Sequence, residues 1–454
     1  MNKDMLMAQR LAGEVAAAGG RAYYVGGFVR DRLMGKECKD VDVEVHGLTP
    51  VQLETILDSL GERTVMGASF GVYGLRHYDL DIAMPRSETC TGRGHKDFTV
   101  FVDPFLGTEK AAMRRDFTIN ALMEDVLTSE VIDHFGGQED LRQGIIRHVN
   151  DRSFGEDPLR VLRAAQFAAR FGFQVAPETV TICRSMDLSA LAGERIMEEL
   201  NKALLKADRP SVFFDRLREM DQLAVWFPEV QALIGVEQER RFHPEGDVYT
   251  HTMLVLDQAA ALRDQAVNPR GLMLAALCHD FGKPATTKTI EGRIRSFGHE
   301  NEGVGLANAF ISRMNNEVRL KKYVENMVLL HMRPNALVAM KSGQKAYMKL
   351  LDTSVEPADL LLLAKADHCG RGVGYGADYH ETEQKLQKML AEYIALMQRP
   401  SVKGEDLLNA GVKPGKTMGE AVAYAHKLHL SGLDKQAALT QTLDWLRNRS
   451  DSKG

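Results

Sequence analysis

Two hydrophobic patterns divide this chain at about residue 150. Before that point, short runs such as RAYYV, DVDVEV, YDLDIA and FTVFV have strand character, and helical segments separate them. After it, apolar residues recur at helical spacing almost to the carboxyl end. The pattern predicts an α+β fold, with a mixed-sheet head followed by an all-helical body.

The run CKDVDVEVHG, residues 38–47, alternates most regularly, with its valines on one side of an extended chain and its acids on the other. Asp40 and Asp42 would stand about 6–7 Å apart at their roots. One interpretation is the solvent face of a half-buried strand. The other is a divalent-metal site, because carboxylates on one face can share hard cations. We expect Glu44 to be solvated.

A second acidic strand, YDLDIAMPR, places Asp79 and Asp81 on one face. Acids on adjacent strands could hold two Mg²⁺ ions, one activating an attacking hydroxyl and one steadying a triphosphate. We therefore predict Asp40, Asp42 and Asp81 as catalytic carboxylates.

Two further segments of the head suit phosphate binding. Gly26 and Gly27 form a turn between a strand and a helix, where backbone N–H groups can approach an anion, although such a turn is also an ordinary tight connection. The vicinal Arg114 and Arg115 either pair with acids or bind phosphate oxygens. Neither a dinucleotide fingerprint nor a Walker A loop is present.

The segment GEDPLRVLRAAQF, residues 155–167, predicts the start of a helix, with Asp157 at a capping position and Pro158 in the first turn. Arg160 and Arg163 follow in the first two turns, where positive charge opposes the helix dipole. An anion or a base edge would compensate, so this face is a candidate recognition surface.

The helical body carries histidines and carboxylates on separate predicted helices. A lone buried histidine is usually satisfied by a backbone carbonyl, but an adjacent His-Asp pair joined by others favours a transition-metal site. The candidate residues are His251, His279, Asp280, His299, His331 and Asp367.

Composition adds few restrictions. The net charge is −5, so contact with nucleic acid would need local basic patches. The five cysteines are scattered without a CxxC pair, which favours a reducing cytoplasm over a disulfide framework. No signal peptide or membrane-spanning run is evident, so no membrane contact is expected.

The head resembles the class II tRNA nucleotidyltransferases, which comprise CCA-adding enzymes and bacterial poly(A) polymerases. The resemblance rests on GGFVRD, DVD, RRDFTINAL, DHFGGQEDLRQGIIRHV and EDPLRVLRAAQFAARFGF, in family order across about the first 200 residues. It implies triphosphate binding by Gly27 and Arg30, Mg²⁺ binding by Asp40 and Asp42, and binding of CTP or ATP by other residues. Those residues are Arg115, Asp157, Arg160 and Arg163.

The same resemblance marks residues 86–100 as a flexible loop linked to the switch from C to A addition. Gln166 departs from the family pattern, because members often have an arginine there. The segment 402–422 resembles the family's carboxyl-terminal part, where Lys403, Lys413 and Lys416 either contact tRNA phosphates or belong to an ordinary helix hairpin.

The body resembles the HD phosphohydrolase domain. This implies a divalent transition metal on His251, His279, Asp280 and Asp367, while His299 and His331 match extra histidines of some members. The implied activity is hydrolysis of phosphomonoesters or 2′,3′-cyclic phosphates. A degenerate HD fold that only supports tRNA is the alternative.

Together these features predict a nucleotidyltransferase that adds or repairs the 3′-terminal CCA of tRNA. The alternatives are a poly(A) polymerase, an HD phosphohydrolase with an RNA-binding head, and a non-enzymatic scaffold. The predicted domains are a catalytic head over 1–150, a nucleotide- and tRNA-binding neck over 151–240, an HD domain over 241–372 and a tRNA-binding tail over 373–454. The oligomeric state is left open.

Overall fold

The computed structural model describes residues 3–36, 40–65, 72–90, 98–372 and 377–451. The chain divides into two compact units, residues 1–228 and residues 229–454. The predicted division into four domains is finer than this and stays a prediction.

The first unit combines strands and helices, as predicted. Its strands are β1 Arg21–Val25, β2 Val41–His46, β3 Arg63–Val65, β4 Val72–Leu75, β5 Leu80–Ala83, β6 Arg86–Cys90, β7 Phe98–Val102, β8 Met123–Asp125, β9 Val131–Ile132, β10 Ile145–Ile146 and β11 Gln174–Val175. Its helices are α1 Lys3–Ala17, α2 Gly27–Leu33, α3 Pro50–Leu60, α4 Thr108–Met113, α5 Gly137–Gln143, α6 Asp151–Gly155, α7 Leu159–Phe171, α8 Pro177–Arg184, α9 Gly193–Lys206, α10 Ser211–Glu219 and α11 Leu223–Trp226, and α12 Pro228–Gln231 begins at the boundary.

The head is built on a mixed seven-stranded sheet in the order β3-β4-β5-β2-β1-β8-β9. β2 and β5 pair in parallel, whereas the other neighbours are antiparallel. The apolar side chains of β2 and β5 lie in one core with α1 and α3, which fixes the opposite, acidic face of both strands. These core side chains, at most 2% exposed, are Val41, Val43, Val45, Leu80 and Ile82.

The segment predicted as a flexible loop has a β-strand at each end, and the two strands form a hairpin. β6 and β7 pair antiparallel, apart from the seven-stranded sheet. Residues 91–97, between these strands, lie outside the described residues, so the loop prediction is untested.

The second unit is almost entirely helical. Its helices are α13 Val248–Leu262, α14 Pro269–Cys278, α15 Lys283–Thr286, α16 His299–Met314, α17 Val318–Leu330, α18 Arg333–Ala339, α19 Gln344–Thr353, α20 Pro357–Cys369, α21 His380–Met397, α22 Gly404–Asn409, α23 Lys416–Leu430 and α24 Lys435–Asp451. Short 3₁₀ turns occur at Thr118–Asn120 in the first unit and at Arg263–Gln265 and Ala377–Tyr379 in the second.

The predicted helical body is confirmed, and it also contains a short β-hairpin formed by β12 Lys288–Ile290 and β13 Arg293–Arg295. The turn residues Glu291 and Gly292 have φ angles of 50° and 74°, as a two-residue hairpin turn requires. These strands are too short and exposed to show an apolar alternation, so only the Glu-Gly pair signalled them. Among the described helices, none combines the length and apolarity needed to cross a bilayer.

Candidate functional site

The predicted catalytic carboxylates meet at the parallel pairing of β2 with β5. Asp42 lies directly opposite Asp81 in the register, and Asp40 immediately precedes β2. Burial and then the charge of Asp81 raise the pKa of Asp42 to about 6. Burial, Asp79 and Asp40 raise the pKa of Asp81. Carboxylates that repel each other in this way fit a divalent cation, which would offset the repulsion.

Gly26 gives the site its close backbone approach. Its φ angle is 65°, and a Cβ atom there would lie 2.8 Å from Nη1 of Arg115. Glycine is therefore required both by the conformation and by the guanidinium packed over it. Gly27 follows as the first residue of α2.

The expectation that Glu44 is solvated was wrong. Its side chain is 2% exposed, and Oε1 lies 2.9 Å from Nε2 of His46. Oε2 lies 3.5 Å from Nη2 of Arg115 and 4.0 Å from Nη2 of Arg114. Burial alone would raise the pKa of Glu44, but the bond with His46 and the charge of Arg115 bring it below its ordinary value. Glu44 thus holds both arginines beside the predicted metal-binding face.

Arg30 is buried between α2 and α7, at 4% exposure. It donates to Asn120 Oδ1 at 2.5 Å and to Asp31 Oδ1 at 2.7 Å, and its guanidinium lies 4.7 Å from the ring centre of Phe171. These contacts anchor the helix after the glycine turn. The predicted role of Arg30 in triphosphate binding stays a prediction.

The basic residues of α7 are held by α6 and by the segment that follows α4. Arg160 donates to the carbonyl groups of Ser153 at 2.7 Å and Arg114 at 2.8 Å. Arg163 donates to the buried carboxylate of Asp116 from Nε at 2.7 Å, and its Nη2 lies 2.6 Å away. Burial would raise the pKa of Asp116, but Arg163 and a hydrogen bond from Asn120 lower it.

Asp157 lies one position before the cap that the structure shows, because Pro158 precedes α7 directly. Its Oδ1 accepts from the backbone N–H of Leu159 at 3.1 Å, and its Oδ2 pairs with Arg195 at 3.1 Å. Gln166 is 1% exposed, and its Nε2 atom has no hydrogen-bond partner among the described residues. The chain therefore buries a neutral amide at the position where the family resemblance led us to expect an arginine.

The predicted ligands of the body converge in the second unit, and we call them the histidine–aspartate cluster. His251 lies on α13 and Asp367 on α20, His279-Asp280 follows α14, His299 begins α16 and His331 follows α17. Every member is at most 8% exposed.

Short distances join the members of this cluster. His251 Nε2 lies 3.1 Å from Asp367 Oδ1, and Asp280 lies 3.2 Å from His279 Nε2 and 3.3 Å from His299 Nε2. His299 and His331 bring their Nε2 atoms within 3.4 Å. Two sets of three ligand atoms each lie within 4.8 Å of one another: His251, His279 and Asp367, and Asp280, His299 and His331.

Backbone carbonyls orient three of these imidazoles. The Nδ1 atoms of His279, His299 and His331 donate to the carbonyl groups of Ala276 at 2.8 Å, Ser296 at 2.8 Å and Val328 at 2.6 Å. A histidine fixed in this way presents Nε2 as a metal ligand. Each of these histidines can therefore donate to a backbone carbonyl group through Nδ1 and still bind a metal through Nε2. The two interpretations of a buried histidine are compatible here.

The charge state of the cluster also fits a cation. Burial opposes ionisation, but His279 and Lys283 hold the pKa of Asp280 well below its ordinary value. The bond with His251 likewise lowers the pKa of Asp367. Burial and the neighbouring His279 lower the pKa of His331 to about 4, so it is neutral near pH 7. Ionised carboxylates and a neutral imidazole are donors that a transition metal takes, whereas hydrogen bonds with Asp367 and Asp280 raise the pKa of His251 and His299 against the effect of burial.

Sequence reasoning missed His243 and Glu245, which it assigned only to a loop. Glu245 Oε1 lies 2.7 Å from Nδ1 of His251 and 2.9 Å from Nδ1 of His243. Burial opposes the shift, but these contacts lower the pKa of Glu245 to about 2. The available signal was the HPEGD motif directly before α13. Lys283 also contacts the cluster, because its Nζ atom lies 2.7 Å from Asp280 Oδ2.

A cavity of about 430 Å³ opens onto the cluster. Asp280, His331 and Asp367 line it, together with Lys283 and Arg371. In the tail, Lys403, Lys413 and Lys416 are exposed, so a contact with tRNA phosphates stays a prediction for each.

Three family profiles match the chain in order. They are the poly A polymerase head domain over residues 22–147, the probable RNA and SrmB- binding site of polymerase A over residues 172–234, and the HD domain over residues 248–372.

Solved structures share the fold. The Bacillus stearothermophilus CCA-adding enzyme in complex with CTP has a TM-score of 0.67 at 20% identity and covers 100% of both chains. The Thermotoga maritima CCA-adding enzyme complexed with tRNA_CCA has a TM-score of 0.64 at 20% identity, over 98% of this chain and 96% of that chain.

Relatives found by sequence have a higher identity to this chain than these solved structures do. The multifunctional CCA protein of Actinobacillus pleuropneumoniae is 37% identical over 374 residues, which cover 80% of this chain and 88% of the relative. The multifunctional CCA protein of Nitrosococcus oceani is 36% identical over 431 residues, which cover 92% of this chain and 99% of the relative. This chain therefore belongs to the family of multifunctional CCA proteins.

Proposed function

We propose that this protein is a template-independent tRNA nucleotidyltransferase that adds or repairs the 3′-terminal CCA from CTP and ATP. The observation that carries the proposal is the register of β2 with β5, which sets Asp42 against Asp81 beside the Gly26-Gly27 turn. Family membership supports the same activity, because the relatives are named multifunctional CCA proteins.

In the proposed reaction, the terminal ribose hydroxyl of tRNA attacks the α-phosphorus of CTP or ATP. A new P–O bond forms, the bond to the β-phosphate oxygen breaks, and pyrophosphate leaves. Mg²⁺ bound by Asp40 and Asp42, with Asp81 as third ligand, would lower the pKa of the hydroxyl and neutralise the triphosphate. The carboxylates of β2 and β5 position these groups on a rigid strand pair.

The chain's own cations act on the triphosphate. Arg115 packs over Gly26, where the turn brings the backbone close to bound phosphates. Glu44 orients Arg115, because its buried carboxylate lies 3.5 Å from the guanidinium on the acidic face of the sheet. This arrangement leaves Arg115 in place before the nucleotide arrives.

Nucleotide selection belongs to the start of α7 in this proposal. Asp157 and Arg160 offer an acceptor and donors for the base edge, and Arg163 adds a further cation. The carbonyl and carboxylate groups that hold Arg160 and Arg163 restrict their rotamers, which a protein needs in order to distinguish bases without a nucleic-acid template.

We further propose that the histidine–aspartate cluster hydrolyses phosphomonoesters or 2′,3′-cyclic phosphates. A divalent transition metal on these ligands would activate a water and polarise the phosphoryl group. Lys283 offsets the charge of Asp280, and Glu245 orients His251. Water oxygen becomes bonded to phosphorus, the ester P–O bond breaks, and the leaving oxygen takes a proton.

The addition activity is tested with tRNA transcripts that lack CCA, end in CC, or end in the complete CCA. Each is incubated with CTP alone, ATP alone, or both. Growth of the first by CCA, and no growth of the last, is expected. Runs of A on the complete transcript would contradict the proposal and indicate a poly(A) polymerase.

The second candidate is a phosphohydrolase whose head only binds RNA, which the intact cluster favours. The double substitution Asp40→Ala with Asp42→Ala and the single substitution His279→Ala separate the two candidates. We expect the first to abolish nucleotide addition and keep hydrolysis, and the second to do the reverse. A wild-type protein that hydrolyses phosphate esters but never extends tRNA would favour the second candidate.

We also propose a reducing cytoplasm as its location. Cys183, Cys278 and Cys369 are free thiols, and burial raises the pKa of Cys183 to about 12. Unreactive thiols of this kind suit a compartment without disulfide formation. Thiol titration of protein purified without reductant should find all five cysteines reduced.

A further inference from the structure

We propose that Arg371 is a catalytic residue beside the histidine–aspartate cluster, where its guanidinium binds the phosphoryl oxygens of the substrate. The group would hold the phosphate in place and stabilise its negative charge during hydrolysis. This inference rests on the proposed phosphohydrolase function and adds a residue that the predicted ligand set does not contain. It concerns the phosphoryl group alone, whatever organic group carries it.

Arg371 lies one helical turn beyond a predicted metal ligand. α20 carries Asp367 and ends at Cys369, and the turn continues, since the backbone N–H of Gly370 donates to the carbonyl group of Ala366 at 2.8 Å. Residues four apart in such a turn lie on the same side. Asp367 and Arg371 accordingly line the same cavity of about 430 Å³. Arg371 also lines an adjoining cavity of about 420 Å³ beside the hairpin β12–β13, so it lies where the two cavities meet.

A close contact between helices fixes this turn. A Cβ atom at Gly370 would lie 2.4 Å from Cγ2 and 2.9 Å from Cα of Val255, so α13 packs directly against the Gly370 backbone. Val255 lies one turn after His251 on α13. A glycine is required at this contact, because any side chain would force the two helices apart. The packing therefore sets the position of Arg371 relative to ligands on both helices.

The guanidinium of Arg371 is available for a ligand. Its Nε atom is buried, and its side chain makes no hydrogen bond or ion pair with any residue that the structure describes. A buried donor without a partner is costly in the folded state, so this position favours a ligand with acceptor oxygens. The fork of a guanidinium matches two oxygens of one phosphoryl group.

The other cation of the cavity is already engaged. Lys283 Nζ lies 2.7 Å from Asp280 Oδ2 and donates to Gln238 Oε1 at 2.7 Å. Histidines apart, the charged side chains that line the cavity among the described residues are Asp280, Asp367, Lys283 and Arg371. The two carboxylates repel an incoming phosphate, and Lys283 offsets Asp280. Arg371 is therefore the cation left for the phosphate.

The contribution of Arg371 to the reaction is electrostatic. As the water oxygen bonds to phosphorus and the ester P–O bond breaks, negative charge is spread over the phosphoryl oxygens. Water supplies both the new oxygen and the proton that the leaving oxygen takes, so Arg371 exchanges no atom. A guanidinium that is already in place stabilises this charge without reorganisation.

The test uses the full-length protein loaded with Mn²⁺, with glycerol 2-phosphate as substrate. We expect Arg371→Gln to lower kcat about a hundredfold or more, because a contact with the transition state is lost. Arg371→Lys keeps the charge without the fork, so it should recover part of this loss. Arg319→Gln is the matched control, because Arg319 is exposed and lines neither cavity. Added guanidinium should restore hydrolysis to Arg371→Ala.

Two measurements without catalysis separate contact with phosphate from support of the metal site. The metal content of purified Arg371→Gln should equal that of wild type, whereas a loss of metal would overturn the proposal. Equilibrium dialysis of labelled orthophosphate against the Mn²⁺-loaded proteins should show binding about tenfold weaker in Arg371→Gln than in wild type or Arg319→Gln. Binding equal to that of wild type would also overturn the proposal.

The outcomes distinguish this inference from the proposed function. If wild type and Arg371→Gln hydrolyse glycerol 2-phosphate equally, Arg371 has no catalytic role and the phosphohydrolase stands. If wild type hydrolyses no phosphate ester, the proposed hydrolysis fails, and the dialysis result still decides whether Arg371 binds phosphate. CTP incorporation into tRNA should be unchanged in every variant, which excludes general unfolding as the cause of a lost hydrolysis.

Discussion

The three acidic residues of β2 and its start occupy different environments, although they alternate in one short motif. Asp42 meets another carboxylate across the strand pair, so burial and repulsion raise its pKa to about 6. Glu44 lies two residues further along the same face, but His46 and Arg115 lower its pKa. The partner across the fold, and not the residue type, decides which carboxylate is left for a cation.

Asp42→Asn is predicted to increase stability without metal while abolishing nucleotide addition. The folded-state pKa of Asp42 lies above the unfolded value of 3.8, so its stabilising contribution is complete below about pH 4 and is lost as the pH rises through 6. The variant should therefore match wild type near pH 3 and exceed it near pH 7.5, by up to about 3 kcal/mol. Urea unfolding in EDTA at both pH values measures this.

Mg²⁺ provides the control for this prediction. Saturating Mg²⁺ should stabilise wild type more than the variant and so reduce the difference at pH 7.5. A variant that is less stable than wild type at pH 7.5 in EDTA would contradict the repulsion between Asp42 and Asp81.

Glu44→Gln is predicted to weaken nucleotide binding through Arg115. The amide keeps the shape but removes the charge, so stability should fall by about 1.5–3 kcal/mol. KM for CTP and ATP should rise about tenfold, because Arg115 loses its orienting partner, while kcat changes less. Steady-state kinetics and urea unfolding measure the two effects.

Glu62→Gln is the matched control for Glu44→Gln. Glu62 pairs with Arg76 at 2.6 Å, but both side chains are more than half exposed. We expect this substitution to lower the free energy of unfolding by less than about 0.5 kcal/mol and to leave KM for CTP and ATP unchanged. Equal effects of the two substitutions would show that burial of Glu44 has no functional consequence.

At the scale of secondary structure, helix ends organise the histidine–aspartate cluster. His279, His299 and His331 all lie at the first residue of a helix or immediately after one, and each Nδ1 uses a carbonyl group three residues earlier. The helix ends therefore fix both the position and the tautomer of these imidazoles. Close packing between the turn after His279 and the start of α16 brings the groups together.

Gly282→Ala is predicted to damage hydrolysis selectively. A Cβ atom at Gly282 would lie 2.1 Å from the carbonyl oxygen of His299, so α16 must shift and move His299 from Asp280. We expect at least a tenfold loss of phosphohydrolase activity and a loss of about 1–3 kcal/mol in the second unit. CTP incorporation into tRNA should remain.

Gly305→Ala is the control on α16 itself. Gly305 is exposed, and a Cβ atom there meets nothing within 4 Å. This substitution should stabilise the helix by about 0.5–1 kcal/mol and leave hydrolysis unchanged. If both alanine variants lose hydrolysis alike, the cause is not the contact between Gly282 and His299.

At the scale of the whole molecule, each compact unit contains one candidate metal site with its own ligand chemistry. The first has three carboxylates, which suit the hard Mg²⁺ ion. The second has imidazoles with two aspartates, which suit a transition metal. The two proposed activities should therefore respond to different metals.

Metal removal tests this separation. EDTA is expected to abolish both activities, after which Mg²⁺ should restore nucleotide addition, and Mn²⁺, Co²⁺ or Ni²⁺ should restore hydrolysis. His279→Ala protein gives the control, since no metal should restore its hydrolysis while Mg²⁺ restores its addition. Full hydrolysis with Mg²⁺ alone would contradict the assignment of the cluster to transition metals.

The sequence by itself determined the fold class, the family resemblance and most candidate ligands. Period-two alternation located β2 and β5, and helical spacing identified the body, because both periods come from local backbone geometry. The candidate residues of the cluster were also found, since the adjacent His279-Asp280 pair follows an apolar segment and further histidines and an aspartate accompany it. Their roles remain predictions.

Only the tertiary structure decided the pairings between distant segments. Parallel register set Asp42 against Asp81, burial paired Glu44 with Arg115, and the loop before α13 brought Glu245 to His251. The exposed hairpin before Phe297 carried no apolar periodicity, so its place beside the cluster was invisible in the sequence. Local patterns fix what each segment forms, whereas charge states and neighbours depend on contacts that the chain makes only after it has folded.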